Sequence, residues 1–240
     1  MLRNLAMLKG GNPWGDSYES IKKYIEELTP EQVGMIETIE CNPRAETNLL
    51  VITGFSKKTY VAIREVLEPL DKKLFKTINY VKYYDDHIKN LVADFLGKYQ
   101  QTDEEKAGKL ENLVYRKCAE HIHGMLNRRE EYTILGKSAG GGVALYLTPL
   151  SRNYKKLLLF APGVKYIGMD EDFPLKDSHN FPITIGWNDD DNKVHFDIVY
   201  PILTRVLRNC RKVEHMLVKF IGDKPDDLHE LNSKFLEFIN

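Results

Sequence analysis

The sequence predicts an α/β protein: a mostly parallel central sheet with helices on both faces and an antiparallel strand at its N-terminal edge. Three observations point there. Short apolar, β-branched runs alternate with stretches of helical periodicity along most of the chain. One of those runs passes through a glycine-rich turn straight into a helical pattern, at residues 133–147. No internal repeat, low-complexity tract or Pro/Gly/Ser linker interrupts the alternation. Strands that alternate with helices read as βαβ units, whose crossovers make neighbouring strands parallel and cover both faces of the sheet.

Taken in order, residues 16–28 form an amphipathic helix with Ile21, Tyr24, Ile25 and Leu28 on one side. Residues 1–34 are read as an N-terminal extension packing on a single domain that spans 35–240. Residues 35–41 (MIETIEC) alternate like a half-buried strand, and the Asn42-Pro43 turn sends it back antiparallel to 48–54 (NLLVITG). Further strands are expected at 78–84, 132–135, 156–160, 182–186 and 215–221. A long helix starts near Thr102, with Glu105 as its capping-box partner and a stripe of Leu110, Leu113, Val114, Cys118, Ile122 and Met125. Two more helices are expected over 196–209, with Pro201 in its early turns, and over 227–239.

Composition narrows the class. Hydrophobic residues make up 42% and charged residues 29%, as in ordinary globular proteins. Lys plus Arg (34) almost cancel Asp plus Glu (35), so no basic surplus exists to neutralise a phosphate backbone, and no nucleic-acid partner is expected. Cys41, Cys118 and Cys210 are far apart, which suits a reducing compartment rather than a disulfide framework. The N-terminal apolar run is too short for a signal peptide, and no stretch approaches the roughly 18 apolar residues that span a bilayer. A cytoplasmic protein is the expectation.

One segment carries chemistry: TILGKSAGGGVALYL, residues 133–147. Its Gly136-Lys137-Ser138-Ala139-Gly140 reads G-x-S-x-G in a strand-to-helix setting. A serine on so sharp a turn needs very small residues two before and two after it, which Gly136 and Gly140 supply. Its oxygen then projects beyond the carboxyl edge of the sheet, where the following helix turns its positive end toward a developing oxyanion. Gly136-Lys137-Ser138 also mimics the end of a phosphate-binding loop, but the glycine required five residues earlier is Glu131. Lys137, beside the serine, either attracts an anionic substrate or points into solvent.

A nucleophilic serine needs a base, and the base an orienting acid. Two late strands each lead into an acidic loop, WNDDDNKV (187–194) and GDKPDDLH (222–229). With VITGF and GKSAGG, these pieces make the chain resemble the α/β-hydrolase superfamily from about residue 35 to the C-terminus. The resemblance implies Ser138 as nucleophile and His229 as general base, with oxyanion donors at the backbone N–H of Ala139 and of Phe55. Thr53 stands where many members have histidine. The acid is left between register counts: forward from Gly186 gives Asp189, back from Val194 gives Asp191, and Asp190 lies between. Asp191 is taken first, because the following valine should pack to set the loop's exit. His121 and His123 are not read as a metal pair, since their side chains diverge by about 200° on a helix.

The expected activity is hydrolysis of a carboxylic ester or thioester through a seryl acyl-enzyme, without metal or organic cofactor. The substrate is a small molecule or an acylated partner. Residues 163–181 are too few for a multi-helix lid, so the site is expected to be open, with 85–101 supplying part of its rim. Three other readings stand: a hydrolase-fold binding protein without turnover, a non-hydrolytic member of the superfamily, and a small serine peptidase. The last rests on DDDNKVHF, which resembles, with one residue extra, the acid loop of the dipeptidyl-peptidase family.

Overall fold

The structure is a computed structural model that describes residues 13–84, 86–170, 173, 181–189, 191–208, 215–220 and 229–239. Its elements in chain order are α1 (Tyr18–Glu26), α2 (Pro30–Val33), β1 (Gly34–Glu40), β2 (Thr47–Ile52), α3 (Lys57–Val66), β3 (Thr77–Tyr83), α4 (His87–Tyr99) and α5 (Glu104–Met125). There follow β4 (Glu131–Lys137), α6 (Ala139–Leu147), β5 (Tyr154–Phe160), β6 (Ile183–Asn188), α7 (Phe196–Arg208), β7 (His215–Phe220) and a 3-10 turn, Ser233–Phe238.

The seven strands form one sheet in the order β1-β3-β2-β4-β5-β6-β7. All neighbours are parallel except β1, which runs antiparallel to β3 along the edge. This is the expected α/β class. Adjacent residues Asn48, Leu49, Leu50, Val51 and Ile52 are all buried. Side chains alternate between the two faces of a strand, so consecutive burial means that both faces are covered.

Two expectations are corrected. β1 was expected beside β2, but β2 already has β3 on one side and β4 on the other, so no edge is open to it. The turn after β1 is tied instead to the approach to β3: Cys41 N–H donates to Lys76 O, Asn42 N–H to Phe75 O, and Asn42 Nδ2 to Lys73 O. The long helix starts one residue later than expected. Asp103 is its N-cap, accepting from Lys106 N–H at 3.1 Å, while the Thr102 hydroxyl donates back to Lys98 O at 2.8 Å. Glu105 is an ion-pair partner of Lys109 rather than half of a capping box.

The N-terminal helix buries Ile21, Tyr24 and Ile25, as its periodicity indicates, and Leu28, just past its end, is buried as well. Pro201 is accommodated inside α7. The start of the expected last helix, Asp190, Cys210 and most of the 222–229 loop fall outside the described residues; of that helix's described part, 229–239, Ser233–Phe238 form a 3-10 turn in place of the expected helix. Among the described residues no helix is long and apolar enough to cross a membrane.

Candidate active site

Ser138 joins β4 to α6 with φ 56° and ψ −131°, in the left-handed half of backbone space that a residue with a Cβ avoids. What holds it there is close packing of the turn. A Cβ on Gly136 would come within 2.9 Å of Gly140 O, and one on Gly140 within 2.2 Å of Ile52 O. One on Gly141 would strike Pro162, and one on Gly142 the ring of Tyr115. The glycine run lets α6 lie directly against β2, α5 and the loop after β5. The Ser138 carbonyl accepts from Gly141 N–H and Gly163 N–H, each at 2.8 Å, which fixes the turn from both sides.

The β2–α3 loop passes beside the serine, and a Cβ on Gly54 would stand 3.9 Å from Ser138 Oγ. Phe55 follows, its ring held edge-on against Tyr83 at 5.0 Å. Ala139 N–H is at the first position of α6, where no intrahelical acceptor exists. Both backbone groups expected as oxyanion donors therefore belong to segments that meet at Ser138.

His229 and Asp191 are brought together. His229 Nδ1 lies 2.8 Å from Asp191 Oδ2, and both side chains are buried. A carboxylate only accepts, so Nδ1 carries the hydrogen and Nε2 is the acceptor of the neutral ring. The other oxygen, Oδ1, accepts from Lys193 N–H at 2.9 Å and Val194 N–H at 3.0 Å. Burial pushes the Asp191 carboxyl up, but the bonds from His229, Val194 and Lys193 outweigh it and hold the group below the usual aspartate range. Asp189 is carried elsewhere: its exposed carboxylate meets Lys219 Nζ at 3.1 Å. Among the described residues Ser138 Oγ makes no hydrogen bond, so the structure does not join the serine to His229 directly.

The two are connected through their neighbours. Lys137 was expected to face either substrate or water and does neither. It is 2% exposed, and its Nζ lies 3.3 Å from Glu230 Oε2. With both faces of the sheet covered, the last residue of β4 has no solvent side to choose. Asn188, at the end of β6, donates to Glu230 O at 2.9 Å and accepts from Asn232 Nδ2 at 3.0 Å. These contacts span the carboxyl ends of β4 and β6 and the loop that holds His229.

Ser138 and Ala139 open onto a cavity of about 440 Å³, part of whose wall is Leu96 and Gln100 from the rim region expected over 85–101. It is also lined by Glu111 and Tyr115 from α5, and by Gly163. The Tyr115 hydroxyl donates to Gly163 O at 2.7 Å. Glu111 escaped sequence reading because a glutamate beside an apolar helical stripe reads as a solvated neighbour of that stripe. His121 and His123 have structural partners, Leu28 O and the Tyr154 hydroxyl.

Solved structures share this architecture. Esterase PE8 is 10% identical, with 86% of this chain and 95% of that one covered and a TM-score of 0.52. The carboxylesterase of Bacillus cereus is 11% identical over 91% and 95%, with a TM-score of 0.51. Dienelactone hydrolase from Anabaena variabilis is 13% identical over 85% and 86%, with a TM-score of 0.50. At such identities the likeness is one of fold, and the chain has the α/β-hydrolase fold. No protein-family model matches the sequence, and no curated protein matches it significantly.

Proposed function

We propose that this chain is a serine hydrolase that cleaves a carboxylic ester or thioester through a seryl acyl-enzyme. The observation that carries this reading is Ser138 held at φ 56° at the mouth of a cavity, with a buried His229–Asp191 pair on loops at the same end of the sheet. Strain of that kind persists only where the surroundings impose it, and here it turns a hydroxyl toward open space. The three solved structures named above are an esterase, a carboxylesterase and a dienelactone hydrolase, which supports hydrolysis as the chemistry.

In this reading Ser138 Oγ attacks the acyl carbon while its proton passes to His229 Nε2. Asp191 holds the ring by Nδ1 and stabilises the imidazolium. The oxyanion is received by the N–H groups of Ala139 and Phe55, with the N-terminus of α6 behind them. As the C–O or C–S bond breaks, the leaving group takes the proton from His229. A water then gives its proton to the same nitrogen as it attacks the seryl ester, and His229 returns that proton to Ser138 Oγ as the acid leaves. The Ser138–His229 hydrogen bond forms as substrate fills the cavity, since such contacts tighten in the Michaelis complex.

The test is a rapid-mix assay with 4-nitrophenyl acetate. The wild type should release a burst of about one equivalent of nitrophenol per chain before steady turnover, and Ser138→Ala none. Equal turnover by Ser138→Ala, or a well-folded wild type without burst or turnover on ester and thioester substrates, contradicts the proposal.

A further inference from the structure

Glu111 is 9% exposed, lines the same cavity as Ser138, and forms no ion pair among the described residues. We propose that it is the anchor of an ammonium-recognition subsite, so that the substrate carries a positively charged amine on its acyl group. This rests on the hydrolase reading of Ser138 and deepens it.

A carboxyl taken out of water without a cation is costly, and a ligand that brings one restores what desolvation removed. The cation that acts on it, Lys165 on the wall of the same cavity, is engaged elsewhere. It has its Nζ 2.8 Å from Glu104 Oε1 and lies 4.9 Å over the Tyr166 ring. Tyr115 is the hydrogen-bonding neighbour, but its single proton goes to Gly163 O at 2.7 Å. It therefore has no second proton to donate to the carboxylate, and as a neutral hydroxyl it supplies no charge. Burial pushes the Glu111 carboxyl up to about 7, outweighing the lowering by its neighbour Tyr115 and by the charge of Lys165. The other titratable groups lining the cavity are Lys193, His195 and Tyr166.

A chain of contacts links Glu111 to the serine. Gly163 N–H donates to Ser138 O, Tyr115 donates to Gly163 O, and Glu111 lies one helical turn before Tyr115 on the same face of α5. The 6-aminohexanoyl group, with its flexible spacer, is the probe that lets an ammonium reach along this wall while the acyl carbon stays at Ser138.

Two measurements test the subsite. The first needs no turnover: calorimetric binding of hexan-1-ammonium and of hexan-1-ol to Ser138→Ala and to Ser138→Ala/Glu111→Gln. The ammonium should bind about tenfold or more tighter than the alcohol, as for a hydrogen bond to a charged partner, and the preference should vanish with Glu111→Gln. The second is kcat/KM for the 4-nitrophenyl esters of 6-aminohexanoate and heptanoate. Their ratio should favour the amine by a similar factor in the wild type and fall to about one in Glu111→Gln. In the wild type and in His195→Gln alike it should rise with pH through about 7, as Glu111 ionises. Equal binding of ammonium and alcohol, a preference that survives Glu111→Gln, or a ratio flat with pH overturns the subsite. Hydrolysis of both esters at equal rates would do so while leaving the hydrolase intact. Ammonium binding without hydrolysis of either ester would sustain the subsite and sink the hydrolase.

Discussion

Replacing Glu111 by glutamine should change how stability depends on pH, by an amount the structure sets. The group moves from the ordinary glutamate value of 4.5 to about 7 on folding, because burial disfavours its charge. Between those values the folded chain holds a proton that the unfolded chain has lost, so stability falls as pH rises through this window. From this group alone it is flat below the lower value and above the upper one. About 2.5 pH units at about 1.4 kcal/mol each amounts to roughly 3 kcal/mol. Glutamine does not titrate and nearly conserves shape, so the variant should lack this loss. Urea denaturation of both proteins at steps from about pH 4.5 to about pH 8.5 gives the difference in stability directly. Groups that titrate alike in both cancel. Relative to wild type, the variant should gain about 3 kcal/mol across the series. Parallel stability profiles would refute the reasoning, since they would mean that Glu111 is solvated or paired when folded.

Three further outcomes follow from the site's geometry. Asp191→Asn should lower kcat by about a thousandfold or more, because the amide no longer fixes the Nδ1–H tautomer of His229, whereas Asp189→Asn, which removes a surface pair with Lys219, should stay within about threefold. Steady-state kinetics of the two variants decide it, and equal losses would contradict the assignment. Glu230→Gln should cost about 2 kcal/mol or more by removing the carboxylate beside buried Lys137, and Lys137→Met in the same chain should recover most of it. A denaturation cycle with no coupling would count against the pair. Gly140→Ala should lower the Tm by roughly 10 °C, since its Cβ would sit 2.2 Å from Ile52 O and force α6 off β2. An unchanged Tm would show that the helix is not held so close.

The parallel sheet was legible because central strands are buried on both faces and therefore read as uninterrupted apolar runs, such as LLVI and LLLF. The Ser138 turn was legible for a local reason: the steric demand of its backbone falls on residues two positions away in sequence. Long-range choices were not. Whether β1 lies against β2 or β3 depends on which edge the other strands leave open, and no property of MIETIEC records that. Counting could not separate Asp189 from Asp191, because the loop is longer than the register rule assumes. The two differ in whether the chain folds the carboxylate back onto Lys193 and Val194 N–H or outward onto Lys219. Lys137 and Glu111 escaped for a common reason. A charged residue is assumed to be solvated, and only the packed structure shows an ion pair at Glu230 in one case and a cavity wall in the other.

The central claim is that Ser138 is an activated nucleophile. Intact mass after exposure to a fluorophosphonate tests it most directly, because the reagent needs an activated serine and no knowledge of the substrate. The account predicts one phosphonyl adduct on the wild type and none on Ser138→Ala. An unmodified, well-folded wild type, or an adduct that persists in Ser138→Ala, would contradict it.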